Sequence, residues 1–248
     1  MAGHSKWAQI KRQKQAADFR KGQIFSKLAR EIHVAVREGG PNPETNVRLR
    51  MAIERARREG MPKDTIENAI AKASGAAGGA AEYETIVYEG YGPGGVAIMA
   101  IALTDNRNRT ASVVRHIFSK YGGSLGETGS VAWQFETVGQ IVVATDGHDP
   151  EEIALAGIDA GARDFEVEDD SVIITTDPDQ LSDVAEKLET AGYQIRQADI
   201  QRIPTTTVEL EGSQAQSALK LLEALEDLDD VQEVYTNASF PAEVRSAV

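Results

Sequence analysis

The apolar pattern of this chain changes near residue 80. Before it apolar residues recur at three and four residues; after it period-two runs and short apolar blocks alternate with further helical stripes. Ile24, Phe25, Leu28, Ile32 and Ala35 form one helical stripe, which Gly39-Gly40-Pro41 ends. A second helix starts at Asn46, a residue suited to an N-cap, and runs through Leu49, Ile53 and Ala56 to a stop near Gly60. A third opens at Met61-Pro62 and carries Ile66, Ala69, Ile70 and Ala73. Three short amphipathic helices bury their stripes only against one another, so a helical bundle is expected. Residues Ser74 to Ala81, rich in glycine and alanine, read as a flexible linker.

Beyond residue 82 the chain reads as strand–helix units. Thr85–Tyr88 and Val96–Leu103 are strands by composition, and a helix follows Asn106 with Val113, Val114, Ile117 and Phe118 as its apolar face. Between the strands lies Glu89-Gly90-Tyr91-Gly92-Pro93-Gly94-Gly95. A phosphate cradle needs a helix N-terminus after the glycines, whereas here a strand leaves, so the run reads as a tight connection. From 139 to 203 the order is strand, helix, two strands across an acidic turn, helix, strand: the βαββαβ pattern of ferredoxin-like domains. A last strand, helix and strand occupy 207–235.

Charge divides the chain at the same place. Residues 1–80 hold 16 Lys and Arg against 8 Asp and Glu, net +8; residues 81–248 hold 10 against 31, net −21. Such asymmetry points to a basic part that meets a polyanion. Lys6, Lys11, Arg12, Lys14, Arg20, Lys21, Lys27 and Arg30 precede every acid except Asp18, and His4 lies among them. Over 5–17 a helix would put Lys6, Trp7, Ile10 and Lys14 on one face, at ~100° per residue. Lysines beside Trp7 suit phosphates and stacked bases; alternatively Trp7 and Ile10 cap the bundle. Arg107 and Arg109 open a later helix, either paired with neighbouring acids or forming a second polyanion contact.

Catalysis is not expected. The chain has no cysteine, and its four histidines (His4, His33, His116, His148) are scattered, so thiol chemistry, thiolate metals and a histidine metal site all lack ligands. The acids Asp169 and Asp170, and Glu226, Asp227, Asp229 and Asp230, fall in predicted turns, where acids are usually solvated. No cofactor, metal or small-molecule substrate is expected. No run approaches the ~18 apolar residues that a membrane span needs, and the first residues lack the apolar core of a signal peptide. A cytoplasmic location is expected.

Gly3-His4-Ser5-Lys6-Trp7, Gly60-Met61-Pro62-Lys63-Asp64, Tyr88-Glu89-Gly90-Tyr91-Gly92-Pro93-Gly94-Gly95, Thr104-Asp105-Asn106-Arg107-Asn108-Arg109-Thr110, Gly122-Gly123-Ser124-Leu125-Gly126 and Asp229-Asp230-Val231-Gln232-Glu233-Val234-Tyr235 occur in that order. Together they resemble the YebC family along the whole chain. One departure is Gln13, where relatives often carry another basic residue. The resemblance implies a multidomain α and α+β protein: a basic helical domain with its linker (1–79), an α+β middle domain (80–136 with 205–248) and a ferredoxin-like insert (137–204). The strand–helix units that bracket the insert agree with this. It implies no catalytic activity. Members are described as DNA-binding transcription regulators, one as a mitochondrial translational activator of cytochrome c oxidase subunit I, and others as ribosome-associated factors that help translation through consecutive prolines.

Three readings follow. The basic domain binds DNA and tunes transcription, although no helix stands out as a recognition helix. The same surface meets structured RNA on the ribosome. Or the basic domain docks on its own acidic partner, or on a second copy, and the asymmetry concerns assembly alone. The expected partner is nucleic acid, DNA or ribosomal RNA, with DNA-binding transcriptional control as the leading reading.

Overall fold

The described chain opens with three helices, α1 (Lys21–Gly39), α2 (Val47–Arg58) and α3 (Lys63–Ala73). The computed structural model describes residues 21–75 and 83–241. Leu28, Ile32 and Ala35 of α1, Leu49, Ile53 and Ala56 of α2, and Ile66 and Ala73 of α3 bury their stripes in one core. Asn46 ties the first two helices together. Its Oδ1 accepts the Leu49 N–H at 3.0 Å, and its Nδ2 donates to the Ala35 and Gly40 carbonyls, both at 2.8 Å. Pro62, expected inside the third helix, stands just before it as the N-cap residue. Of the expected linker, Ser74 caps α3; residues 76–82 lie outside the described ones.

The chain continues through β1 (Glu84–Tyr91), β2 (Ala97–Thr104), α4 (Arg107–Lys120), β3 (Ser124–Leu125) and β4 (Phe135–Ala144). Next come α5 (Pro150–Ala160), β5 (Asp164–Val167), β6 (Ser171–Thr176), α6 (Leu181–Thr190) and β7 (Ile195–Pro204). It ends with β8 (Val208–Glu209), α7 (Gly212–Glu226), β9 (Val231–Thr236) and β10 (Ala238–Ser239). Two compact units result: residues 136–203, and the remainder of the chain.

In the larger unit the sheet order is β3-β1-β2-β9, and its neighbouring strands are antiparallel. Ile98, Ala100 and Ala102 of β2 form a core with Val114, Ile117 and Phe118 of α4 and Leu221, Leu222 and Leu225 of α7. Val113, expected in that apolar face, lies at its margin and is exposed. The glycine-rich run makes one 3-10 turn at Pro93–Gly95 between antiparallel β1 and β2. Gly90 serves packing: a Cβ there would lie 2.6 Å from the Ser124 carbonyl oxygen and 2.7 Å from the Phe118 ring. Its absence lets β3 pair with β1, Gly90 opposite Leu125, over Phe118.

The smaller unit has the ferredoxin-like order β5-β6-β4-β7. Its last strand, expected around Tyr193–Ile195, begins at Ile195 and runs to Pro204. Ile141 and Val143 of β4, Ile153 of α5, Val172 and Ile174 of β6, and Leu181, Val184 and Leu188 of α6 are buried. Gly157 lets α5 close on the sheet, because the Ile174 Cδ1 fills the space 2.7 Å from where a Cβ would stand.

Candidate nucleic-acid interface

Of the residues singled out for polyanion contact, His4, Lys6, Trp7, Lys11, Arg12, Lys14 and Arg20 lie outside the described residues, and Lys21 is described only as the first residue of α1. The other four have partners within the protein. The Lys27 ammonium donates to the Glu226 carbonyl, at the end of α7, at 2.6 Å. Arg30, one turn further along α1, donates to the Asp229 carbonyl and ion-pairs with Asp230 at 3.0 Å. The Arg30 guanidinium also lies 5.8 Å from the centre of the Tyr83 ring, which meets His33 edge-on at 5.2 Å. From α2, Arg55 reaches Glu31 at 3.4 Å and Glu233 on β9 at 2.8 Å. This seam joins the helical part to the acidic end of the sheet.

Asp230 is the seam's centre. Besides Arg30, it accepts from the Thr110 hydroxyl at 2.6 Å and from Arg109 at 2.8 Å. The Thr104–Thr110 segment is built to hold these donors. The Asn106 N–H donates to the Thr104 hydroxyl at 2.9 Å, and the Asn106 side chain caps α4 by accepting the Arg109 N–H at 3.0 Å. Burial pushes the Asp230 carboxyl pKa up, but the Thr110 hydroxyl, Arg109 and Arg30 outweigh it and hold it below the ordinary value. Arg109 is in turn held in its charged form by hydrogen bonds to Asp230 and Asp105. Arg107 is exposed and reaches Glu84 at 3.7 Å.

Asp230 is thus no solvated turn acid, although its sequence neighbours suggest one. Its side chain is 14% exposed. Its partners lie 120 and 200 positions upstream, a distance at which no local pattern operates.

Three basic side chains that the sequence reading passed over face solvent. Arg50, Arg57 and Arg58 of α2 are exposed and form no ion pair among the described residues. At ~100° per residue Arg50 and Arg57 lie together on one flank of the buried stripe of α2, and Arg58 lies opposite it. The spacing from Arg50 to Arg57, two helical turns, is the signal for them in the sequence.

Glu89 opens the glycine-rich run read as a tight connection, where the sequence shows no partner for an acid. It is a buried anchor instead: its carboxylate accepts the N–H groups of Gly129, Val131 and Ala132, each at 2.8 Å. Burial raises its pKa, and the three donors more than reverse that, leaving it lowered. Among the described residues no group of three or more His, Asp or Glu could hold a metal ion. No described helix is long and apolar enough to cross a membrane.

Comparison with known proteins matches residues 5–76 to the TACO1/YebC protein N-terminal domain and residues 83–238 to the TACO1/YebC second and third domain. A protein of Thermomicrobium roseum called "Probable transcriptional regulatory protein" is 99% identical over the whole of both chains. One of Pelotomaculum thermopropionicum with the same description is 54% identical, over 96% of this chain and 98% of its own. Among solved structures, a conserved hypothetical protein from Aquifex aeolicus superposes with a TM-score of 0.84 at 48% identity, covering 90% of this chain and 92% of that one.

Proposed function

The chain belongs to the TACO1/YebC family, and from that premise we propose that it is a non-enzymatic nucleic-acid-binding regulator, which binds DNA in the cytoplasm to control transcription. The description of its relatives as probable transcriptional regulatory proteins supports this. The observation that carries it is the separation of charge: net +8 in residues 1–80 against −21 in the rest, with Arg50, Arg57 and Arg58 exposed. The proposed surface combines these arginines with His4, Lys6, Trp7, Lys11, Arg12, Lys14, Arg20 and Lys21. Lys27, Arg30 and Arg109 serve it by fixing the basic part in place, and exposed Arg107 extends it.

A salt titration of binding to duplex DNA tests the reading. Replacing Arg50, Arg57 and Arg58 by Ala removes three phosphate contacts and should lower the slope of log K against log salt by ~2.7. An unchanged slope and affinity would remove α2 from the surface. If the same result followed for Lys6, Lys11, Arg12 and Lys14, nucleic-acid binding by the basic part would fall altogether.

One observation favours RNA, and with it a ribosome-associated role in translation through difficult stretches such as consecutive prolines. Exposed Asp64 and Glu67 lie in the first two turns of α3, which counts against α3 as a recognition helix. They would face phosphates in a major groove. Tighter binding to ribosomal particles than to promoter duplexes, lost in the same variants, would decide for translation.

A further inference from the structure

The ferredoxin-like unit holds an apolar strip that its own core does not cover. Phe165 and Val167 of β5 are 43% and 48% exposed, and Leu155 and Ile158 of α5 are 64% and 40% exposed. The register places the two strand residues together. Phe165 lies opposite Ile174 and Val167 opposite Val172, on the face that Ile174 turns towards Gly157 of α5. Ile158 follows Gly157 directly. The strip therefore lies along β5, the edge strand of the sheet, with Ile158 of α5 at its border. An edge strand presents unpaired backbone groups that can accept a further strand.

Charge says what fits there. Residues 136–203 hold 17 acidic against four basic residues, a net of −13. Exposed Glu151, Glu152 and Asp159 flank Leu155, while Asp164 and Asp169 lie at the two ends of β5. Arg163, the nearest basic residue in sequence, is engaged by Glu136 at 2.9 Å and Asp177 at 3.0 Å. A nucleic acid is repelled by this surface. A second copy would set one acidic edge against another. A segment with alternating basic and apolar side chains satisfies both the strip and its rim.

We propose that the β5 edge of the ferredoxin-like unit is a docking surface that takes a basic, extended polypeptide segment as an added strand. Its apolar side chains rest on Phe165, Val167 and Ile158, and its lysines or arginines meet the flanking carboxylates. The proposal does not depend on the nucleic-acid reading, since it uses neither the basic helices nor the seam around Asp230.

The test uses the full chain and four synthetic peptides: alternating Lys–Val, the same peptide N-methylated at alternate residues, alternating Lys–Ser, and alternating Glu–Val. Fluorescence anisotropy measures affinity, and amide exchange locates the contact. Lys–Val is expected to bind and to slow exchange in Asp164–Val167. The other three peptides should bind about tenfold more weakly or not at all. Phe165→Ser should weaken Lys–Val binding about tenfold, as loss of one large apolar contact requires. Ile158→Ser, on α5, should weaken it in the same direction and serves if the strand variant fails to fold. Equal binding of Lys–Ser or of the N-methylated peptide would overturn the strand addition. So would affinity that survives both substitutions, or β5 protection that rises with protein concentration in the absence of peptide, which would assign the edge to a second copy.

Discussion

At the scale of single residues, two carboxylates do structural work that their positions in the chain conceal. Asp230 gathers Thr110, Arg109 and Arg30, so Asp230→Asn leaves two arginines without their shared counter-charge. The variant is expected to lose about 2 kcal/mol of unfolding free energy by calorimetry. Its pH dependence has a definite sign. The folded-state pKa of Asp230 is depressed, so its stabilisation is complete above the unfolded value of about 3.9 and is lost as pH falls through the lower folded value. The gap between the wild type and Asp230→Asn should hold constant from pH 7 to 5 and shrink below about pH 4. Glu89→Gln sets an amide N–H₂ against backbone N–H donors that now share two carboxylate oxygens. A cost of about 2 kcal/mol is expected, with faster amide exchange at Gly129, Val131 and Ala132. The sequence names both residues within conspicuous runs, but it does not show that each is held by groups 40 or more positions away.

At the scale of elements, local rules carried most of the reading. Gly39 ends α1, Asn46 caps α2, and the period-two blocks became strands in the ferredoxin-like order. The misses share a physical reason: they lie where an element's margin is set by its neighbours. Val113 sits at the border of a stripe and faces outward, and β7 extends well past the residues that first suggested it. Exposed arginines of α2 escaped notice because charge alone does not say which side of a helix is covered. Asn46→Ala removes one cap, one bond to the α1 carbonyl of Ala35 and one to the carbonyl of Gly40, and should cost about 2 kcal/mol or more in urea unfolding. Gly90→Ala forces a methyl against a backbone oxygen at 2.6 Å. It should separate β3 from β1, costing about 1–3 kcal/mol, and NMR should show the loss of the Gly90–Leu125 pairing.

At the scale of the whole molecule, opposite charge within one chain is used first for assembly. Lys27, Arg30 and Arg55 meet the Glu226–Glu233 region, a role the sequence reading held open beside nucleic-acid contact. The double variant Arg30→Ala, Arg55→Ala should loosen this seam, raising the radius of gyration in small-angle scattering. The wild type should move the same way only at high salt, where screening shortens to about 3 Å at 1 M. The central sheet has a second long-range property. Strand β2 pairs with β1 on one side and with β9 on the other, Ile98 opposite Thr236. Residues 136–203 make their own unit between those two partners. During synthesis that unit can close while β2 still has one bare edge, because domains fold as their residues emerge. The nascent protein therefore finishes its middle before its frame, and a truncation before Val231 would leave a folded insert on an open sheet.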